Sequence, residues 1–291
     1  MPATAPGNQG QAEFWSATGG QAWVDLQDQM DRQLSVVGAA ALAALDAQTG
    51  ESIIDIGCGC GATTLDLAAA VGETGRVVGL DISAPMTELA ARRLADRGFV
   101  HATAVLGDAQ TATPADVSGP VDAVFSRFGV MFFDDPVAAF VNIRALTNAS
   151  ARMAFVCWQD ARKNRIFGDL GRELAALFPG QPPPDPHAPG PMAFADPGRL
   201  RAILSAAGWS HIEILEHIAP MQLFGTTDFD VALEASLRVG GAGRLMQIVD
   251  DASAQQIRVA ARRVLESQWT TNGAVVDSAT WIVTARSEVG E

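Results

Sequence analysis

A short apolar run that breaks into alternating glycines is the most informative pattern in the chain. Residues 51–70 read ESIIDIGCGCGATTLDLAAA. The run at 52–56 is short and rich in β-branched residues, which is typical of a buried strand, whereas apolar residues recur at roughly helical spacing beyond the turn. The pattern therefore predicts a strand, a glycine turn and a helix, the opening unit of a doubly wound α/β sheet.

Strand-like and helical patterns continue to alternate along the chain. Further strand-like runs lie at about 76–81, 101–106, 121–126, 152–158, 211–218 and 278–285. Because strands that alternate with helical segments are typical of parallel sheets, we expect a Rossmann-like α/β fold with seven strands.

Three stretches do not fit this alternation. Before the first strand, apolar residues from Trp23 to Leu45 step by three or four, which predicts one amphipathic helix. The sequence GQPPPDPHAPGP at 180–191 can be neither a helix nor a central strand. The stretch at 219–274 suggests two helices joined through Gly240–Gly243.

These patterns divide the chain into six predicted segments. We expect N-terminal helices at 1–50, the cofactor-binding half of the core at 51–159, a lid insertion at 160–195, a core helix and strand at 196–218, a second helical insertion at 219–274, and the last strand and C-terminus at 275–291.

Composition and charge narrow the classes of partner. The 291 residues are 48% hydrophobic, enough for a sizeable core, and the net charge of −13 disfavours nucleic acid, which is bound through Lys and Arg. We expect a small-molecule substrate. We expect no membrane segment and a cytoplasmic protein, because no apolar run reaches about 20 residues. We expect no metal, because Cys58 and Cys60 alone cannot complete a zinc site.

Acidic residues stand at the ends of the first three predicted strands: Asp55, Asp81 and Asp108. Such carboxylates can accept hydrogen bonds from ribose hydroxyls and from an adenine amino group. The spacing Gly57-x-Gly59-x-x-Ala62 also fits a dinucleotide fingerprint, so a nicotinamide cofactor is a competing interpretation. A carboxylate two residues before the first glycine suits a cationic ligand better than a pyrophosphate.

Two motifs carry a resemblance to a known family. Asp55-x-Gly57-x-Gly59-x-Gly61 resembles the first motif of class I S-adenosylmethionine-dependent methyltransferases, and VDAVFSRFGVMFFDDP at 121–136 resembles the fourth-strand motif of their ubiquinone/menaquinone-biosynthesis-like, small-molecule branch. The resemblance implies S-adenosyl-L-methionine as cofactor and an antiparallel last strand. The candidate cofactor-binding residues are Asp55, Gly57, Cys58, Gly59, Gly61, Asp81, Ile82, Met86, Gly107, Asp108, Ala109, Ser126, Arg127 and Phe128.

The expected reaction is methyl transfer to a small metabolite, in which a lidded pocket aligns the nucleophile. The alternatives are a nicotinamide-dependent oxidoreductase, although the chain has no tyrosine for a Ser-Tyr-Lys set, and a nucleoside-cofactor-binding protein without catalysis. The candidate substrate-binding residues are Trp23, Phe132, Trp158, Phe167, Met221, Leu223 and Arg244.

The sequence assigns no catalytic residue. His187, His217 and Asp160 are weak candidates for a general base, because each has a plain structural explanation as a solvated loop residue or a satisfied polar group. We expect alignment to dominate the reaction. The two insertions are also a candidate dimer interface, so a homodimer is an open alternative.

Overall fold

The computed structural model describes residues 8–179 and 185–287, so parts of the predicted segments 1–50, 160–195 and 275–291 lie outside the described residues. In the described part, seven strands form one sheet in the order β3-β2-β1-β4-β5-β8-β6, and a short strand, β7, pairs only with β8. The strands are β1 (Ser52–Ile56), β2 (Arg76–Asp81), β3 (Ala102–Leu106), β4 (Val121–Arg127), β5 (Thr147–Trp158), β6 (Ser210–Gln222), β7 (Trp269–Thr270) and β8 (Gly273–Arg286).

The first five strands are parallel, and β8 runs antiparallel between β5 and β6. The predicted doubly wound, Rossmann-like sheet with an antiparallel last strand is thereby confirmed. The strand order reverses between β1 and β4, because the chain proceeds from β1 to β2 and β3 on one side and from β4 to β5 on the other. In open α/β sheets, such a reversal leaves a crevice at the carboxyl ends of the strands.

Helices cover the sheet and extend beyond it. They are α1 (Gln9–Ser16), α2 (Thr18–Asp25), α3 (Gln27–Leu45), α4 (Ala62–Val71), α5 (Ala84–Asp96), α6 (Pro136–Ala145), α7 (Arg165–Leu177), α8 (Pro197–Ala206), α9 (Phe229–Ser236), α10 (Gly240–Met246) and α11 (Asp251–Gln268). Proline at the first helical position and an aspartate cap begin α6 and α8, as the Asp-Pro pairs favour.

The core confirms the apolar pattern and corrects some element bounds. Met30, Leu34, Val37, Ala41 and Leu45 are buried along α3. The single helix predicted from Trp23 is wrong, because the backbone breaks at Leu26 and separates α2 from α3. The prediction missed this break because helical spacing continues across it.

Several strands are longer than the sequence pattern suggested. The fifth begins at Thr147, which pairs with Val121, and the side chain of Asn148 donates to Asp122 at 2.6 Å. The sixth strand continues to Gln222 and the last begins at Gly273, because β6 and β8 stay paired beyond the rest of the sheet. Ladder hydrogen bonds, which apolar periodicity does not reveal, extend these strands.

The second insertion contains three helices in the described residues, not two joined through Gly240–Gly243. These glycines lie within α10 itself. A Cβ atom at Gly243 would lie 2.5 Å from backbone atoms of Arg238. This close contact therefore requires glycine here, although glycine has a low intrinsic helix propensity. The division of the chain into functional segments stays a prediction.

The glycine turn after β1 packs directly on the loop after β4. Gly57 has a φ of 65°, and a Cβ atom on it would lie 2.6 Å from the Cα of Gly129. A Cβ atom on Gly129 would lie 2.6 Å from the carbonyl oxygen of Ile56 and 2.7 Å from the Cα of Gly57. The carboxyl ends of β1 and β4 can therefore approach this closely only if both residues are glycine.

This contact predicts the effect of a single methyl group. Gly129→Ala should lower the free energy of unfolding by about 2–4 kcal/mol, because backbone atoms on both sides must shift to admit it. Gly10→Ala in α1 is the control, since nothing lies within 4 Å of its added Cβ atom. Urea unfolding measures both variants, and equal stabilities would contradict the importance of the contact.

Candidate active site

A cavity of about 840 Å³ opens at the carboxyl ends of β1, β2, β3 and β4. One side is formed by the glycine turn and the strand ends. The other side is formed by residues of α1, α7, α10 and α11, together with part of the loop between α7 and α8. The strand ends and the inserted helices thus enclose one continuous space.

Two of the three predicted strand-end acids line this cavity. Asp81 and Asp108 are 7% and 2% exposed. The two oxygens of Asp81 accept hydrogen bonds from the backbone of Gly59, at 2.7 Å, and of Ser83, at 2.9 Å. Burial raises the pKa of Asp81, and these N–H donors oppose the rise. The acid therefore also fixes the glycine turn against the end of β2.

Asp55 lies behind the cavity wall rather than in it. It is fully buried, and its Oδ2 accepts hydrogen bonds from the hydroxyls of Thr63 and Thr64, each at 2.8 Å. Its Oδ1 has no hydrogen-bond partner among the described residues. Burial raises the pKa of Asp55 to about 6, against the opposing effect of the two hydroxyls. Asp55 joins β1 to the first turn of α4, and this placement does not support direct contact with a ligand in the cavity.

Ten of the fourteen predicted cofactor residues line the cavity: Gly57, Gly59, Asp81, Ile82, Met86, Gly107, Asp108, Ala109, Arg127 and Phe128. Besides Asp55, three do not. Cys58 faces a side pocket of about 40 Å³, and a Cβ atom on Gly61 would lie 2.9 Å from that of Ala90. The hydroxyl of Ser126 donates to the carbonyl oxygen of Ile56 at 2.7 Å, so this side chain braces β4 against β1.

An aromatic stack forms the wall next to the end of β4. The rings of Phe128 and Trp158 lie 4.3 Å apart and nearly parallel, and Phe167 of α7 packs edge-on against Trp158 at 5.1 Å. Phe128 has a φ of 64°, which costs a residue other than glycine on the order of 1–3 kcal/mol. Its backbone N–H donates to the carbonyl oxygen of Val156 and so holds this conformation.

Six of the seven predicted substrate-binding residues line the cavity: Trp23, Phe132, Trp158, Phe167, Leu223 and Arg244. Met221 does not, because it is buried in the core of the long β6–β8 pair. Several apolar wall residues are not among the candidate site residues predicted from the sequence. They are Phe14 and Trp15 of α1, Leu170 and Leu174 of α7, and Val264 and Leu265 of α11. Helical spacing marks such residues as buried but does not distinguish a cavity wall from core.

The helices α1 and α2 form a roof over the cavity, and contacts on two sides hold this roof in place. The hydroxyl of Ser83 donates to the carbonyl oxygen of Trp15, and α2 comes so close here that a Cβ atom on Gly20 would lie 1.9 Å from the same oxygen. On the other side, Thr18 donates to Gln247 at 2.8 Å, and Asp25 forms an ion pair with Arg238. The roof thus joins the strand-end side of the cavity to the second insertion.

None of the three candidate bases is both unpaired and in the cavity. Asp160 lines it, but hydrogen bonds from Arg162 lower its pKa to about 2, so it is a weak proton acceptor. His217 lies on β6 opposite Thr280 and does not line the cavity, although its Nε2 has no partner among the described residues. His187 is exposed in the loop before α8 and is also absent from the wall.

Over 8–179 and 185–287, no three His, Cys, Asp or Glu side chains are grouped so that they could hold a metal ion. Burial raises the pKa of the Cys60 thiol to about 12, which keeps it protonated. Within the same ranges, no helix has the length and apolar character needed to cross a bilayer.

The buried carboxyl of Asp55 predicts a distinctive dependence of stability on pH. Because its pKa is higher in the folded than in the unfolded chain, its contribution favours folding at low pH and is lost as pH rises through about 6. From pH 4.5 to 7.5, the unfolding free energy of the wild type should fall by about 2 kcal/mol relative to Asp55→Asn. Urea unfolding across this range measures the difference. Exposed Asp96→Asn is the control, and a constant difference for Asp55→Asn would contradict the assignment.

Comparisons with known proteins agree with this geometry. Residues 53–149 match a family model described as a methyltransferase domain. Over 107 residues the chain is 35% identical to aklanonic acid methyltransferase DauC from Streptomyces sp. (strain C5), which covers 37% of this chain and 48% of that protein. Over 94 residues it is 34% identical to demethylmenaquinone methyltransferase from Anoxybacillus flavithermus, which covers 30% and 40%. The chain thus spans about half the length, or less, of these relatives.

A similar fold is found among solved structures. The YcgJ protein from Bacillus subtilis superposes with a TM-score of 0.56 and covers 87% of this chain and 98% of its own length. At 15% identity this likeness concerns the fold alone. The resemblance to S-adenosylmethionine-dependent methyltransferases that the sequence motifs indicated is thus confirmed, and the family match lies over residues 53–149.

Proposed function

We propose that this protein transfers a methyl group from S-adenosyl-L-methionine to a small molecule with an apolar ring system. The observation that carries the proposal is the placement of two buried carboxylates, Asp81 and Asp108, at adjacent strand ends on one cavity with the glycine turn. These groups fit the hydrogen-bond donors of a nucleoside, and the methyltransferase-domain match over 53–149 supports the same cofactor.

Each part of the cofactor has a suitable group on the wall. Asp81 would accept hydrogen bonds from the ribose hydroxyls, and Asp108 from the adenine amino group. Ile82, Met86 and Ala109 would provide the apolar surroundings of the adenine ring. Arg127, which lines both the cavity and the side pocket at the glycine turn, would bind the amino-acid carboxylate.

The rest of the cavity suits an acceptor with a planar apolar ring system. When bound, the cofactor supplies an electrophilic methyl group on a sulfonium, so the chain itself has to position a nucleophile and exclude water. The stacked rings of Phe128 and Trp158, together with Phe132 and Phe167, offer flat apolar surfaces for this purpose. The two relatives are named for small molecules, aklanonic acid and demethylmenaquinone, which supports this class of acceptor.

The competing functions explain fewer of these features. A nicotinamide-dependent oxidoreductase of the Ser-Tyr-Lys type would require a tyrosine, and the chain has none. A protein that only binds a nucleoside would not need the aromatic space beyond the strand ends. The expectations of a cytoplasmic location, no nucleic-acid partner, no membrane partner and an open homodimer alternative stay predictions based on sequence.

The cofactor is tested by isothermal titration calorimetry. S-adenosylmethionine and S-adenosylhomocysteine should bind in the micromolar to millimolar range that is usual for metabolic sites, and NAD should not bind. Asp81→Ala should weaken binding by about 1.5–3 kcal/mol, because charge-assisted hydrogen bonds are lost. Exposed Asp96→Ala, at the far end of α5, is the charge-matched control.

Two results would contradict the cofactor assignment. One is binding of NAD without binding of S-adenosylmethionine. The other is an Asp81→Ala variant that keeps wild-type affinity and a wild-type thermal unfolding midpoint, because the ribose would then be held elsewhere.

The reaction should depend on alignment rather than on one general base. Replacing His187, His217 or Asp160 singly by Asn or Ala should lower kcat by less than about a hundredfold, at or below the low end of what an essential base contributes. Turnover is followed as S-adenosylhomocysteine release with an acceptor found among naphthoquinols and polyketide acids. A loss of about a thousandfold at one position, with cofactor affinity intact, would identify that residue as the base.

A further inference from the structure

Three arginines line the cavity within the described ranges, and they differ in their partners. Arg127 lies 3.6 Å from Asp31, and Arg165 pairs with Asp169 at 2.9 Å. Among the described residues, the guanidinium of Arg244 makes neither an ion pair nor a hydrogen bond, whereas its backbone carbonyl accepts from the N–H of Gln247. The Arg244 guanidinium lies over the ring of Phe14, 4.6 Å from the centroid. Within the part of the chain that the structure describes, Arg244 is thus the cavity arginine without a carboxylate partner.

The surroundings of Arg244 favour an anion. It lies in α10, where Gly240 and Gly241 also line the cavity, and it faces the roof helix α1 through Phe14. Partial burial lowers its pKa, and no carboxylate offsets the loss of water. The Phe14 ring contributes a cation–π contact that orients the guanidinium without satisfying its N–H groups. These donors remain available for a bidentate contact with a carboxylate.

The groups beside this site are apolar and aromatic. Phe14 packs edge-on against Trp15 at 5.0 Å, and Trp15 packs in the same way against Phe132 at 5.2 Å. A continuous row of rings therefore leads from Arg244 toward the loop after β4, where the acceptor is proposed to lie. A flat ring system with a carboxylate at one end would complement both the row and the cation.

On the basis of the proposed function, we propose that Arg244 binds a carboxylate of the methyl acceptor and selects planar aromatic acids over their neutral analogues. The cofactor carboxylate has its own candidate partner in Arg127, at the glycine turn. Arg244 lies on α10 of the second insertion and does not line the side pocket at the glycine turn, so we assign it to the acceptor rather than to the cofactor.

The test compares two probes of one shape, 1-hydroxy-2-naphthoate and the uncharged 1-hydroxy-2-naphthamide. Each is titrated by fluorescence into the full chain, with and without saturating S-adenosylhomocysteine. The wild type should bind the naphthoate about tenfold or more tightly than the amide, as expected for a charge-assisted contact. Arg244→Met should remove this preference and leave amide binding unchanged, whereas Arg244→Lys should keep part of it.

Arg262→Met is the matched control, since Arg262 carries the same charge on α11 but does not line the cavity. The preference of Arg262→Met for the naphthoate should equal that of the wild type.

The inference is overturned if the wild type binds no naphthoate or binds both probes equally. It is also overturned if Arg244→Met weakens the binding of both probes alike. It is also overturned if Arg244→Met weakens S-adenosylmethionine binding as much as naphthoate binding. Absence of S-adenosylhomocysteine binding to the wild type would count against the proposed function instead, while the titrations without it still test Arg244.

Discussion

The site depends on the close contact between the backbones of Gly57 and Gly129 at the carboxyl ends of β1 and β4. This contact brings together the two sides of the sheet where the strand order reverses. Ser126 reinforces it by bonding to Ile56, and Asp81 holds the glycine turn through the N–H of Gly59. Since the same turn and the same acid line the cavity, the geometry of the binding wall follows from the packing that closes the core.

The enclosure of the cavity depends on contacts between distant parts of the sequence. The roof helices α1 and α2 are fixed at one edge by Ser83 and at the other by Gln247 and Arg238. Helices α7 and α11 supply apolar side chains below this roof. An aromatic space beside the strand-end carboxylates suits the proposed reaction, in which the cofactor supplies an electrophilic methyl group and the rate depends on positioning.

The sequence predicted the sheet, and most of the candidate site residues that it indicated lie on the cavity wall, because periodicity and glycine spacing report local structure directly. It placed Asp55 in the cofactor site, whereas the structure uses this residue to join β1 to α4 through Thr63 and Thr64. A strand-end acid can face either the cavity or the neighbouring helix, and spacing does not distinguish these two orientations.

The helix α10 was missed because tertiary packing overrides the low helix propensity of its glycines. Phe14 was missed because its position in the wall depends on a contact with Arg244, 230 residues away.

A crystal structure with S-adenosylhomocysteine tests the central claim most directly, namely that the acids at adjacent strand ends bind a nucleoside cofactor in this cavity. The account predicts ribose hydroxyls within hydrogen-bond distance of Asp81 and an adenine amino group within that distance of Asp108. It also predicts open space for an acceptor between the ligand sulfur and the Phe128–Trp158 stack. A ligand bound elsewhere, or bound here with neither carboxylate in contact, would contradict it.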